Sequence, residues 1–438
     1  MLDFLLSAPV LVKVLVALAL ILVFNRICGQ LFVSVAMGTL VLAAWSGHSP
    51  AAMGRIAWGR IWSLDNTLLL IVIFQVIALS SQMAETGVMG DLLTAVRGLV
   101  SRRAAMAVLP ALIGLLPMPG GALFSAPLVD NCDPDGSLPA QLKALTNHWF
   151  RHIWEYWWPL YPGVLLAMQI TELEVWQFML LGIPLTLCAL VAGRIFLLHR
   201  IPPDEEPPRG RSVGTVHRVL VLLMPIIVVI GSYGLIRGLY PGFRHVWPAL
   251  PADMNRYVPM LVGLVGAMLV LQIQRPLGRA QWKRVLLSRQ ALNMVILVTM
   301  VRVYGAFIEA ELPDGTALVA QMHDEMADWG IPVIAITMLL PLIAGLATGL
   351  SIGFVGASFP IVMSLVGDSP DAGVRMATAV LAYGFGYVGQ LLSPVHVCLV
   401  VTSEFFKTPV LGSAARLLKP VTVILSGALL MHFLLGLF

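Results

Sequence analysis

Residues 116–130 read LPMPGGALFSAPLVD, three prolines and an adjacent glycine pair inside an otherwise apolar chain. Proline removes a backbone donor and clashes with the preceding helical turn, and glycine weakens a helix interior. A helix broken in lipid leaves N–H and C=O groups without partners. Such backbone is tolerated at membrane depth only where protein encloses it or it lines a cavity. Whether this stretch lies at membrane depth is decided by the rest of the chain.

The 438 residues are 58% hydrophobic and only 11% charged, against about 25% charged in soluble domains. Mean hydropathy is +0.89. So little polar surface does not cover so apolar a core in water, and apolar runs of about 20 residues recur, the length of a membrane helix. The sequence therefore predicts an all-α polytopic membrane protein; strand-sized alternation is absent, which argues against a barrel. Formal net charge is +4 and pI about 9.0, but the basic residues flank apolar runs and set orientation, so no nucleic-acid partner is expected. Cys28, Cys132, Cys188 and Cys398 have no metal-ligand or disulfide spacing and read as small apolar fillers. The first apolar run lacks a basic leader and a cleavage site, and reads as a retained span.

Ten spans are predicted, at 9–25, 29–46, 66–84, 147–170, 174–198, 216–240, 257–273, 291–310, 376–402 and 409–437. Two further apolar segments, 104–131 and 331–366, are interrupted by Gly and Pro and read as re-entrant hairpins. With both termini outside a cytoplasmic membrane, 19 Lys and Arg fall in inner loops and 6 in outer ones, as the positive-inside rule requires. The hairpins echo each other. Pro110–Gly114 (PALIG) aligns with Pro341–Gly345 (PLIAG), and Ser125–Val129 (SAPLV) with Ser358–Val362 (SFPIV). Each half then carries three spans, an amphipathic stretch (87–103, 314–329), a hairpin and two spans. Five crossings per half is odd, so the second copy is inverted relative to the first. The reading is two inverted repeats, 1–198 and 216–438, joined by an inner Pro-rich linker at 199–215. Within them, scaffold spans (1–103, 216–330) precede a hairpin and a broken helix (104–198, 331–438). Inverted repeats with matched broken segments are a signature of secondary transporters.

The spans after the hairpins are broken too, by Pro159 and Pro162 in WEYWWPLYPG (154–163) and by Gly384, Gly386, Gly389 and Pro394 in YGFGYVGQLLSPVH (383–396). Two tips and two breaks bring unpaired backbone toward one place, where helix N-termini favour an anion and carbonyls a cation. The bland reading is kinked packing helices; a matched pair in both halves favours a site. The candidate binding residues are Gly120, Gly121 and Ser125 at the first tip and Gly349, Ser351, Gly353 and Ser358 at the second. Tyr161, Gln390, Ser393 and His396 are the candidates at the breaks. NHWFRHIWEYWW (147–158) holds His148, Arg151, His152 and Glu155, a coupling or charge-relay group or else a snorkelling interfacial cluster. Arg151 and Glu155 have i,i+4 spacing. A metal is not expected there: His148 and Glu155 are about 10 Å of helical rise apart and no H-E-x-x-H occurs. Arg302 sits mid-span and needs a partner, with Glu309 the local candidate.

LPMPGGALFSAPLVD followed by NHWFRHIWEYWWPLYPG resembles an uncharacterised integral-membrane branch of the ion transporter superfamily, whose members include carboxylate permeases. The resemblance implies an elevator mechanism, a homodimer and an anionic substrate, without a cofactor. The sodium-coupled dicarboxylate members have Ser-Asn-Thr at their tips. This chain has Ser125-Ala126-Pro127 and Ser358-Phe359-Pro360, so the coupling ion is left as Na⁺ or H⁺. The leading expectation is a secondary carrier for a small anion and not an enzyme; the alternatives are a membrane-embedded enzyme using His148, His152 and Glu155, or an ion channel.

Overall fold

The computed structural model describes residues 8–97, 99–117, 121–203, 213–366 and 371–437. The candidate Gly120 and residues 204–212 of the linker lie outside these. The described residues form helices, apart from one isolated bridge, Glu311–Ala317. In chain order the first half holds α1 (Val10–Cys28), α2 (Leu31–Trp45), α3 (Pro50–Ile61), α4 (Leu64–Glu85) and α5 (Val88–Arg97). Then come α6 (Arg102–Ile113), α7 (Ala122–Asp130), α8 (Ala140–Arg151), α9 (Pro162–Thr171) and α10 (Val175–Phe196). The second half holds α11 (Val213–Val246), α12 (Val258–Gln274), α13 (Arg279–Leu286), α14 (Arg289–Ile308) and α15 (Leu318–Asp328). It ends with α16 (Val333–Thr348), α17 (Ser351–Val366), α18 (Ala372–Leu392), α19 (Val397–Phe405) and α20 (Val410–Leu435).

Among the described residues, seven helical segments are long and apolar enough to cross a membrane, and apolar side chains such as Leu220, Ile227 and Leu235 on α11 are exposed. This is an all-α, multi-pass membrane protein. Ten full spans were expected. Two of them appear as α2 and α12, with 15 and 17 residues, short of the ~20 that cross directly. They pack on α1 and α14, and on α11 and α4, respectively, and such tertiary packing sustains helices that would be marginal alone. A third, 147–170, is divided into α8 and α9. An eighth span would require α15 and α16 to act as one, but they bend by 111° at Trp329–Pro332.

Neither arm of either interrupted segment reaches span length. Helices α6 and α7 have 12 and 9 residues, and α16 and α17 have 16 each. Each pair packs on itself: α6 on α7, α16 on α17. Several helix contacts recur when each helix of one half is exchanged for the helix ten places away. Thus α2 meets α14 and α12 meets α4; α9 meets α17 and α19 meets α7; α1 meets α15 and α11 meets α5. The helices sort into two packed groups, α1–α5 with α11–α15, and α6–α10 with α16–α20. The short helices α3 and α13, placed between the second and third spans of each half, had no counterpart in the sequence reading. Helix α3 has exposed Trp58 and Trp62, the interfacial pattern that identifies it.

The loop after α7 is fixed by one buried carboxylate. Asp133 accepts Ser137 N–H (3.1 Å) and Leu138 N–H (3.0 Å), and pairs with Arg102 (2.5 Å) and Lys143 (3.4 Å). Burial alone would raise its pKa, but these donors and the lysine charge bring it below the usual range. A depressed folded pKa means stability that is present above the unfolded value near ~3.9 and lost as pH falls through the folded one. Asp133→Asn is expected to destabilise this loop by about 1–3 kcal/mol at neutral pH. Faster proteolysis between α7 and α8 reads this out, and the wild type should match the variant only in strong acid.

Candidate functional site

The two broken spans are held together by side chains that satisfy each other's loose backbone. Helix α8 stops at Arg151, and the chain turns through His152–Tyr161 before α9. The last carbonyls of a helix lack intrahelical donors, and at α6 that need is met from this turn. Trp154 Nε1 donates to Ala111 O (2.9 Å), Trp158 Nε1 to Leu115 O (2.9 Å) and the Tyr161 hydroxyl to Gly114 O. In the second half Ser393 donates to Leu346 O (2.6 Å) and His396 Nδ1 to Gly349 O, from the α18–α19 break to the end of α16. Three of these bonds, from Tyr161, Ser393 and His396, close across the same separation of 47 residues. The turn's own carbonyls are served by α18: Tyr387 donates to His152 O (2.6 Å) and Tyr383 to Glu155 O (2.7 Å).

Glycines Gly384, Gly386 and Gly389 were expected to weaken the ninth span. Instead α18 runs unbroken to Leu392 and the break falls at Ser393–His396. The glycines give neighbours room: a Cβ would strike Ala428, the Phe354 ring and Leu342 O, respectively. Proline is what stops the helix, at Pro394.

Between these breaks lies a cavity of about 180 Å³. Its polar wall is Arg151, His152, Glu155 and Tyr161 from the first break, Ser351 at the start of α17, and Gln390 and His396 from the second break. Three helices, α9, α17 and α19, begin at this wall with Pro162–Gly163, Ser351–Ile352 and Val397–Cys398. The opposite side is contributed by α4 and α14 through Ile77, Gln290, Met294 and Leu297. The cavity therefore sits where the two helix groups meet.

The cluster read as a coupling group, or else as a snorkelling interfacial one, is buried: His148 is 0%, Arg151 3%, His152 1% and Glu155 4% exposed. Because α8 ends at Arg151, Arg151 and Glu155 do not share a helical face. Glu155 instead accepts Gln390 Nε2 at 2.9 Å and lies 3.7 Å from His152 Nε2. Arg151 Nη1 lies 3.3 Å from His152 Nε2 and donates to Cys398 Sγ at 3.1 Å. The rise argument that set metal aside compared the wrong residues: the third histidine comes from the other half. His148, His152 and His396 offer ring nitrogens that all lie within 4.8 Å of one another.

The tip residues act as packing elements. A Cβ on Gly121 would come within 2.5 Å of Arg151 Nη2, so this glycine seats the guanidinium. Ser125 and Ser358 are fully buried and bond their own helices, to Ala122 O (3.5 Å) and Phe354 O (2.6 Å). They do not line the cavity. Gly349, at φ +63, caps α16, and a Cβ on Gly353 would strike Thr348. Arg302 lies outside the cavity, 8% exposed, its Nε without a partner among the described residues. Its expected partner Glu309 pairs with Arg60 instead. Sequence reasoning missed Cys398, passed over as filler, and Gln290 and Met294, which nothing in a scaffold helix sets apart. Gly121→Ala is expected to displace the Arg151 guanidinium and weaken ligand binding by at least ~10-fold, about 1.4 kcal/mol, while melting changes little; equilibrium binding measures it.

An all-helical membrane protein with a largely apolar cavity between two broken spans, its few polar groups including Arg151, Glu155 and His396, is the class the coordinates define. The chain belongs to the family described as Protein of unknown function (DUF401), whose model matches residues 11–435. No curated protein matches it.

Proposed function

We propose that this protein is a secondary carrier for a small anion, such as a carboxylate, working by alternating access in an elevator arrangement. The observation that carries the reading is the cavity: one buried guanidinium, Arg151, and the starts of α9, α17 and α19 surround it. Helix N-termini present unpaired N–H groups and partial positive charge, so an anion is the complementary ligand. Its volume corresponds to roughly six waters at ~30 Å³ each, which suits a small solute.

Support for alternating access comes from the exchanged packing of the two halves, which an inverted repeat produces, and from the resemblance to the ion transporter superfamily. Nearly all polar wall residues belong to α6–α10 with α16–α20, while α4 and α14 add Ile77, Gln290, Met294 and Leu297. The first group is the proposed moving unit and the other the scaffold, in a homodimer. The carbonyls of Gly114, Leu115, Leu346 and Gly349 already hold side-chain donors, which makes them poorer Na⁺ ligands and favours H⁺ as coupling ion. The proton's place is between His152 and His396. Each donates Nδ1–H to a carbonyl, of His148 and Gly349, yet their Nε2 atoms lie 3.0 Å apart. Two lone pairs repel at that distance; one added proton turns the contact into a hydrogen bond. The charged and titratable groups around it are His148, Arg151, Glu155, Tyr161, Tyr387 and Cys398.

The test is uptake into proteoliposomes. Carboxylates, sulfate and phosphate are first screened by thermal shift, with and without Na⁺ at two pH values. A hit should then show saturable, pH-gradient-driven uptake and counterflow. Saturable uptake driven by Na⁺ alone would remove the proton assignment, and fast, non-saturating flux without counterflow would mean a channel.

A further inference from the structure

We infer that His148, His152 and His396 form a binding site for a divalent transition metal of the Zn²⁺ class, opening on the cavity. The argument starts from tautomers. A carbonyl only accepts, so a ring nitrogen facing one carries the hydrogen. His148 Nε2 faces Leu391 O (3.2 Å), His152 Nδ1 faces His148 O (2.6 Å), and His396 Nδ1 faces Gly349 O. Each neutral ring is thereby left with its other nitrogen as a lone pair: Nδ1 of His148, Nε2 of His152 and Nε2 of His396. A metal-ligating histidine has this arrangement, its second nitrogen donating to a carbonyl that fixes ring and tautomer.

The three rings share one buried space, where one ligand nitrogen of each lies within 4.8 Å of the others. Ring centroids are 4.7, 5.3 and 4.8 Å apart, His396 edge-on to both partners and His148 tilted against His152. Among the described residues, buried His148 Nδ1 has no hydrogen-bond partner, a cost of about 1–3 kcal/mol that a protein seldom leaves uncompensated. Tetrahedral Zn–N bonds of about 2.1 Å place ligand nitrogens roughly 3.4 Å apart. The His152–His396 pair, at 3.0 Å, already meets that spacing, and the ring nitrogens span at most 4.8 Å, so His148 closes by a small ring rotation. Arg151 Nη1 gives up its contact with His152 Nε2 and keeps Cys398 Sγ. The fourth position faces the cavity, where Glu155 or a bound anion completes the shell. The three neutral rings bind the metal through lone pairs, so uptake balances with no ring proton released.

The inference stands apart from the transport reading, because metal stoichiometry reports on it whether or not any solute crosses the bilayer. The tag-free full chain in detergent is stripped with chelator and titrated with Co²⁺, then with Zn²⁺ as competitor. The expected result is one equivalent of Co²⁺ with the intense visible bands of a tetrahedral nitrogen site, abolished by Zn²⁺. His396→Asn and His148→Asn, checked for monodispersity, should each weaken binding by at least 100-fold. Absence of saturable binding to wild type, or binding that survives His396→Asn, overturns the site. The wild-type titration decides the matter even where a variant fails to fold.

Discussion

Arg151→Gln is expected to abolish the proposed anion binding while the chain still inserts. Arg151 is the only guanidinium lining the cavity among the described residues, and it is 3% exposed. A buried arginine binds a carboxylate or oxyanion with charge-assisted bonds that the amide of glutamine does not replace. The expected loss is at least 100-fold in Kd, about 2.7 kcal/mol. The same change also removes the charge facing Glu155, which acts on Arg151 electrostatically. Removing one partner of a buried pair costs about 3–5 kcal/mol of stability, so the single variant melts earlier for a reason unrelated to ligand. The double variant Arg151→Gln/Glu155→Gln separates the two effects. Its melting temperature should return toward wild type, because no lone charge is left buried, while binding stays lost. Restored binding in the double variant, or an unchanged Kd in the single one, would show that the helix N-termini alone hold the ligand and that Arg151 is structural.

The outline of the fold was legible because lipid imposes it. Apolar runs of span length and prolines in matched places are written in the chain itself, and the echo of Pro110–Gly114 in Pro341–Gly345 located both interrupted segments. Individual tip residues were not legible, for a definite reason. Ser125 and Ser358 look like ligands, since a hydroxyl near a break has bonding capacity to spare; their helices absorb it through Ala122 O and Phe354 O. His396 shows the opposite case. Alone it is one polar residue near a proline, and its meaning comes from His148 and His152, 244 residues or more away in sequence: His152 Nε2 lies 3.0 Å from its own Nε2, and a His148 ring nitrogen within 4.8 Å. Helical rise, the one geometric tool available, fails at the point where the helix stops. The carbonyls of Gly114 and Gly349 likewise find donors 47 residues on, a pairing that no local pattern encodes.

Gly345→Ala and Gly349→Ala should be among the most damaging small substitutions at the described glycines. At Gly345, α16 crosses α18 backbone to backbone: a Cβ would strike Gly386 O and come within 2.8 Å of Gln390 N. Main chain on both sides does not swing away as a side chain does, so overpacking costs about 1–3 kcal/mol or more. Gly114 holds the corresponding place in the first half, where a Cβ would strike Arg151 O, and Gly114→Ala should fail in the same way. At Gly349 a Cβ would lie 2.8 Å from the His396 backbone. The left-handed conformation adds about 1–2 kcal/mol for a residue with a Cβ. Both second-half changes pry the α18–α19 break off the end of α16, so His396 loses its carbonyl and the cavity its wall. Gly231, Gly234 and Gly238 on α11 supply the control, because a Cβ there meets nothing within 4 Å. Alanine at those positions should be neutral or stabilising by up to about 1 kcal/mol through helix propensity. Melting of the detergent-solubilised variants, followed by gel filtration after heating, ranks them. Should Gly345→Ala tolerate heat as well as Gly234→Ala, α16 would not lie against α18, and the wall that gathers Gln390, His396 and Arg151 around one cavity would have no support.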